Sequence, residues 1–436
     1  MNPHLLDFTT EPGLLGLFRT LSARLVIFLS VFQAGVVCGQ CGFQALRDVD
    51  QDICASSIMA AISSSNTAFA LELLRTLSQE NPSGNVFVSP LSISSAMAMV
   101  HLGAKGNTAT QMAQALSFGE GVHADFKALN AVINSPSASY ILKLANRLYG
   151  ENSAKFLQNF LDATQKYYSA DLKTVDFVGA PEACRGEINS WVEKQTENKI
   201  KDLLKPGSVT TMTRLALVNA IYFKGNWQNR FDEANTKEMP FKVNQNESRP
   251  VKMMYQMKKL PYNYIPEFSL QVLELPYVKE ELSMFILLPE ESNQGADPLK
   301  KLEKELTQER LDEWTKRDNM DTQSDVLVHL PKFKLEEDYQ LNDPLSRLGM
   351  TDVFDVSKAD LSGMNGEGGL FLSTVAHKAF VEVNEEGTEA AAATAGIVSF
   401  CMLREEHFTA DHPFLFFIRH NKSKSILFLG RFSSPQ

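Results

Sequence analysis

The chain has 436 residues with ordinary globular composition: 44% hydrophobic, 22% charged, 24 Gly and 18 Pro. That is enough to bury a large core, and it excludes collagen, coiled coil and disorder. Lys plus Arg number 42 against 52 Asp plus Glu, a net charge of −10, which speaks against bulk attraction to nucleic acid or anionic membrane. Five cysteines, at 38, 41, 54, 184 and 401, are too few and too uneven for a disulfide framework. Cys38 and Cys41 form a C-x-x-C with no second ligand pair at a zinc-like interval, so no metal site and no cofactor are expected.

Arg19 and Arg24 precede the apolar run Leu25 to Phe32, and small residues end near Cys38-Gly39. This reads either as a secretory leader or as sequence upstream of a true start at Met59. It is short for a membrane span of roughly 20 residues and is interrupted by Ser30, Gln33 and Gly35. Residues 1–58 are therefore set apart from a folded body at 59–436. That body carries only Cys184 and Cys401, the usage of a reducing, cytoplasmic setting; an extracellular one would follow if residues 1–38 direct secretion.

From Asn66, a candidate N-cap, Phe69, Ala70, Leu73, Leu74 and Leu77 recur at helical spacing to about Ser78. A turn at Asn81 to Gly84, a strand at Val86 to Val88 and a second helix to near Gly103 follow, with Met97 and Met99 as core filler. A helical pattern covers Glu182 to Gln195. Leu215 to Phe223 is almost continuously apolar, as in a strand covered on both faces. Its one amide, Asn219, must find partners across the sheet. Strands are expected at 270–275, 283–288 and 325–330, a helix at 298–314, and further strands at 377–383, 413–419 and 425–430. With no internal repeat and no splitting linker, the body reads as one α+β domain with mixed sheets.

Nucleophile-elbow, zincin, P-loop and dinucleotide motifs are absent, and the eight histidines include no i, i+4 pair. Gly363, Gly366, Gly368 and Gly369 lack the strand and helix of a phosphate site and read as a turn. The anomalous stretch is Glu385 to His412, 28 residues with little apolar periodicity, longer than most structureless connections in compact domains. It opens with Glu385, Glu386, Gly387, Thr388, Glu389, Ala390, Ala391, Ala392, Ala393, Thr394 and Ala395, nearly all small. On composition alone, a loose linker is an equal reading.

Four separated segments settle it: Asn85-Val-Phe-Val-Ser-Pro-Leu-Ser-Ile93, Leu217-Val-Asn-Ala-Ile-Tyr-Phe-Lys-Gly-Asn-Trp227, Phe380-Val-Glu-Val-Asn-Glu-Glu-Gly-Thr388 and Phe408-Thr-Ala-Asp-His-Pro-Phe-Leu-Phe-Phe-Ile418. Together they resemble the serpin family, and within it the intracellular clade, over Asn66 to Pro435. The resemblance implies three mixed sheets, about nine helices and an exposed reactive loop from Glu385 to about Arg404. Its function would be suicide inhibition of serine proteases, with no turnover and no cofactor, by a monomer that binds neither nucleic acid nor membrane.

Loop insertion as an added strand is a known serpin property. It would set Thr388, Ala390, Ala392 and Thr394 on one face and Glu389, Ala391, Ala393 and Ala395 on the other. Counted from Gly387 by the family's loop length, Cys401 is the residue acylated and Met402 the first of the leaving segment, with Phe400 the neighbouring alternative. Val398, Phe400, Cys401 and Met402 suit elastase-like and chymotrypsin-like pockets. A nucleophilic role for Cys401 beside His407 and His412 is set aside, because nucleophiles need a rigidly held base. Ser89, Ser92, Asn219 and His377 match the polar cluster where the sheet opens, and Trp227 the point of first insertion. The rival is a non-inhibitory serpin, a carrier or chaperone, whose hinge tends to carry bulky, charged or Pro residues. The sequons Asn246-Glu-Ser and Asn421-Lys-Ser matter only if the leader directs secretion.

Overall fold

Three β-sheets organise the chain in a computed structural model that describes residues 41–291, 297–388 and 405–435, with side chains from Met59 on, Thr388 excepted. Two compact units divide it, Met1–Ile58 and Met59–Gln436. In the first, Cys41 to Ile58 is helical. The second holds every sheet. Among the described residues are ten α-helices, and none is long and apolar enough to cross a membrane.

The large sheet runs Phe333–Gln340, Thr374–Val383, Leu215–Asn226, Ile141–Glu151 and Leu172–Val175, and the two-residue strand Gly387–Thr388 pairs on Leu215–Asn226. Its central strands Thr374–Val383 and Leu215–Asn226 are parallel neighbours, His377 aligned with Asn219. The first nine residues of Leu215–Asn226 are all buried, as its apolar run predicts. Even-numbered side chains of this strand pack under the helix Pro181–Gln195 with Ile188 and Val192. Ile221 and Phe223 face the opposite core, which also holds Phe87 and Phe428. Any strand entering beside it is thus covered on both faces.

A second sheet is antiparallel throughout: Val86–Val88, Ile426–Phe432, Phe414–His420, Leu282–Pro289, Leu270–Pro276 and Tyr262–Ile265. A four-stranded sheet follows the order Glu405–Thr409, Asp325–Pro331, Glu247–Lys259 and Lys237–Asn244, its first pair parallel. The helix Pro90–Gly103 lies against the large sheet, buried at all but His101 and Leu102. Its residues Ser92, Ser94, Ser95, Ala96 and Ala98 are small enough for close approach to the strands.

Some expectations need correction. Asn66 is not an N-cap: the helix spans Cys41–Glu80, and the buried Asn66 amide donates to Ile426 O at 2.9 Å, a tertiary bond. The pattern at 298–314 is two helices, Pro298–Glu305 and Gln308–Trp314. The first ends at the extended Leu306, and Thr307 caps the second by accepting from Arg310 N–H. Asp297 caps the first. The structureless reading of Glu385 to His412 fails at both ends, where Gly387–Thr388 and Glu405–Thr409 are strands.

Candidate functional site

The site lies where the two parallel central strands meet the helix Pro90–Gly103. Ser89 is that helix's N-cap, its hydroxyl accepting from Ser92 N–H and donating to Leu427 O at 2.7 Å. A Ser before a Pro at the first helical position is the local sequence that places it there. The Ser89 N–H donates to His377 Nε2 at 3.2 Å. An N–H leaves that nitrogen only the acceptor role, so the ring proton sits on Nδ1 and is donated to Asn219 Oδ1 at 2.7 Å. The same oxygen accepts from the Ser92 hydroxyl at 2.7 Å, and Asn219 Nδ2 donates to Ser92 O at 3.3 Å. Four residues from three elements thus close one buried network. The Asn219–His377 bond is a strut between the strands themselves.

His377 is wholly buried. Burial alone pushes its pKa from 6.5 down to about 3, so the ring is neutral. Its face lies parallel to Tyr339 at 6.5 Å, whose hydroxyl accepts from Phe87 N–H. The cluster can therefore satisfy itself without water or charge while the strands are joined. Parting them breaks the Nδ1 bond and leaves two buried polar groups in need of a new partner.

Trp227 marks the end of the same strand, 2% exposed and stacked on Tyr277 with ring centroids 4.5 Å apart. Its indole N–H donates to Asn384 O at 3.0 Å and its backbone N–H to Glu386 O at 2.9 Å. Phe231 N–H donates to Glu385 O at 2.8 Å. These bonds hold a two-residue turn, with Asn384 N–H bonded to Gly387 O at 2.9 Å and Glu386 N–H to Asn384 Oδ1 at 3.1 Å. The chain leaving Thr374–Val383 is so reversed, and Gly387 and Thr388 pair antiparallel with Asn226 and Gly225.

Gly387 is required there twice over. Its φ is +128°, and a Cβ would lie 2.3 Å from Gly225 O and 2.7 Å from Asn226 Cα, both backbone atoms. Glu385 is also fixed: its buried carboxylate accepts from Thr236 Oγ1 at 2.8 Å and Lys332 Nζ at 2.9 Å. Burial alone would raise its pKa, but the hydrogen bonds from Lys332, its own N–H and Thr236 outweigh this and hold it below the usual range.

The structure therefore brings Ser89, Ser92, Asn219 and His377 together and sets Trp227, Glu385, Glu386 and Gly387 at the Asn226 end of the strand Leu215–Asn226. Glu389, Ala390, Ala391, Ala392 and Ala393, with Phe400, Cys401 and Met402, lie outside the described residues. Sequence reasoning missed Asn384, Thr236 and Lys332. Asn384 had a signal, an Asx residue three places before a Gly; the other two had none. Among the described residues no group of three His, Cys, Asp or Glu could hold a metal.

Comparison with known proteins places this geometry. Residues 64–435 match the family model for serpins, described as serine protease inhibitors. The chain is 60% identical over 380 residues to leukocyte elastase inhibitor of Homo sapiens and 58% to that of Equus caballus, covering 86% of this chain and all of each relative. Among solved structures, uncleaved ovalbumin is similar with a TM-score of 0.78 at 36% identity, covering 86% of this chain and all of that one. Maspin gives 0.80 at 36% identity, over 87% and 100%. The chain belongs to the serpin family. It is a serine protease inhibitor rather than an enzyme.

Proposed function

We propose that the chain traps elastase-like and chymotrypsin-like serine proteases by offering one bond, Cys401–Met402, and then inserting the cut loop into its large sheet. The protease serine oxygen adds to the Cys401 carbonyl carbon. The bond to the Met402 nitrogen breaks, that nitrogen leaves with a proton as a free amine, and Cys401 is left as an ester on the protease. Phe400 is the alternative acylated residue. The loop then moves into the sheet, carrying the protease with it, before water can cleave the ester.

The observation that carries this reading is the register of Gly387 and Thr388. Their pairing with Asn226 and Gly225, continued one residue at a time, sets Ala390 opposite Phe223, Ala392 opposite Ile221 and Thr394 opposite Asn219. The turn that pairs Asn384 with Gly387, continued along the other strand, sets Ala392 opposite Ala379 and Thr394 opposite His377. Those are the residues the two strands already align with each other. Both edges of the gap thus agree on one alignment.

In it Thr394 enters between His377 and Asn219, with a hydroxyl that can accept from Nδ1 and donate to Oδ1. Ala390, Ala391, Ala392 and Ala393 face core on one side and the helix Pro181–Gln195 on the other, which accounts for alanine at both parities. Elastase-like targets are supported by the similarity to inhibitors named for that enzyme. The low cysteine content of residues 59–436 supports a cytoplasmic setting, and one-to-one trapping suits a monomer.

The test is to mix the protein with neutrophil elastase and with chymotrypsin and run denaturing gels with mass analysis of the released peptide. A covalent complex and a peptide beginning at Met402 are expected. Clean cleavage without a complex would refute the reading and return the chain to a non-inhibitory role.

A further inference from the structure

Two half-buried imidazoles that the inhibitory site leaves unused lie against each other where three helices meet. His101 sits in the last turn of the helix Pro90–Gly103, and His123 is the second residue of the helix Val122–Ile133. Tyr168, the last residue of the helix Gln158–Tyr168, closes the third side. The imidazole centroids are 5.5 Å apart, with the ring planes 35° from parallel. Phe118 stands edge-on to His101 at 5.6 Å, and Tyr167 lies 6.0 Å from His123.

Each ring has one nitrogen tied and one left over. His123 Nδ1 is 2.7 Å from the Tyr168 hydroxyl, and with that oxygen accepting from Nδ1–H the lone pair sits on Nε2. His101 makes a hydrogen bond with the Ala109 backbone that favours its protonated form, so the imidazole is the donor there. Its Nδ1 is shielded from solvent and has no hydrogen-bond partner, which leaves that atom carrying an unused lone pair. Burial lowers both pKa values, that of His123 to about 4 with the proximity of His101 adding to it, so both rings are neutral at pH 7. Zinc–nitrogen bonds are about 2.0–2.1 Å long and a ring centroid lies about 1.1 Å behind its nitrogen, so two imidazoles on one tetrahedral ion put their centroids about 5.2 Å apart. The observed separation of 5.5 Å is close to that. A second ring nitrogen that donates to a fixed oxygen is also the arrangement that orients metal-bound histidine.

We propose that His101 and His123 bind one divalent transition-metal cation of the Zn2+ or Cu2+ type, His101 through Nδ1 and His123 through Nε2, with water completing the shell. Neutral imidazoles select such ions over Mg2+ and Ca2+, which take oxygen ligands. The ion ties the end of the helix Pro90–Gly103 to the helix Val122–Ile133. The start of that first helix holds Ser89 and Ser92 of the buried network, so the metal braces the element on which the two central strands are joined.

Cysteines and other histidines of the chain also take zinc, so the experiment reads a difference. The full chain, His101→Phe and His123→Asn are titrated with Co2+ as a spectroscopic stand-in and with Zn2+ alone in equilibrium dialysis. His101→Phe keeps an aromatic ring beside Phe118, and His123→Asn keeps a donor for Tyr168 while removing Nε2. Each variant is expected to bind one equivalent fewer than the unmodified chain, and the double variant no fewer than either single one. The cobalt absorption that is lost should lack a thiolate charge-transfer band, which marks nitrogen ligands. Diethyl pyrocarbonate labelling of the unmodified chain with and without Zn2+, read by mass spectrometry, needs no variant to fold: zinc should protect His101 and His123 together. Equal stoichiometry in all forms, a loss in only one of the variants, or either histidine as reactive with zinc as without it would overturn the proposal.

Discussion

Acidification should loosen the joint between the central strands through His377 alone. The ring is neutral in the fold, with a pKa near 3 set by burial, against 6.5 in the unfolded chain. A group whose folded pKa is depressed gives stability that is complete above 6.5 and is lost as pH falls from 6.5 toward 3, because the unfolded chain takes up the proton first. At pH 5 the difference amounts to about 2 kcal/mol, and at pH 4 to about 3 kcal/mol. His123, lowered to about 4 by burial and by His101, adds acid sensitivity of its own, so the wild-type slope is not diagnostic. The diagnostic quantity is the difference from His377→Gln, whose amide can donate to Asn219 Oδ1 and accept from Ser89 N–H without titrating. Urea-induced unfolding at pH 7.5 and at pH 5 is the assay. Wild type should lose about 2 kcal/mol more than the variant over that interval. Equal losses would show that the buried imidazole is not the titrating group, and the argument from burial would fail.

Gly387→Ala, whose Cβ would collide with the backbone at Gly225 and Asn226, should cost about 1–3 kcal/mol at the hinge and raise the moles of inhibitor cleaved per protease trapped, measured by titration against elastase. Thr394→Val keeps the size of the side chain but removes the hydroxyl expected between His377 and Asn219; trapping should slow several-fold in stopped-flow while cleavage of the bond proceeds at the wild-type rate, and an unchanged trapping rate would contradict the alignment. Glu385→Lys faces Lys332, 2.9 Å from the present carboxylate, with a second ammonium. Allowing for the part exposure of Lys332, a loss of about 2 kcal/mol is expected, with oligomers on native gels after mild heating where the wild type stays monomeric.

Much of the fold was legible because its central strands are buried on both faces and so read as unbroken apolar runs, Leu215 to Phe223 above all. The strand Glu247–Lys259 was not legible: Met253 and Met254 are both buried at adjacent positions, and four exposed residues precede Val251, so no period of two survives. The helix Gly106–Ala115 was missed because only Thr108 and Met112 are fully buried and Lys105 offers no side-chain cap. Asn66 looked like a cap because the local sequence suits one, while its actual partner is 360 residues away. In the site, Ser89 and Asn219 carried local signals, a cap before Pro and a lone amide in an apolar run. The bond from His377 to Ser89 spans 288 residues, and no spacing rule reaches that far; family resemblance supplied it.

The strand Glu405–Thr409 also fixes one end of the loop. Its five residues are stitched in parallel to Asp325–His329, whereas the turn at Asn384 to Gly387 is fastened to a different sheet. The sixteen residues between Thr388 and Glu405 therefore span two anchorages, and the intact backbone works as a catch. Paying the loop into the large sheet without cutting it would mean tearing Glu405–Thr409 from its neighbour; cutting it frees one end and leaves the other in place. The molecule is consequently single-shot, with a peptide bond for a trigger, and each copy records one encounter and cannot be reset.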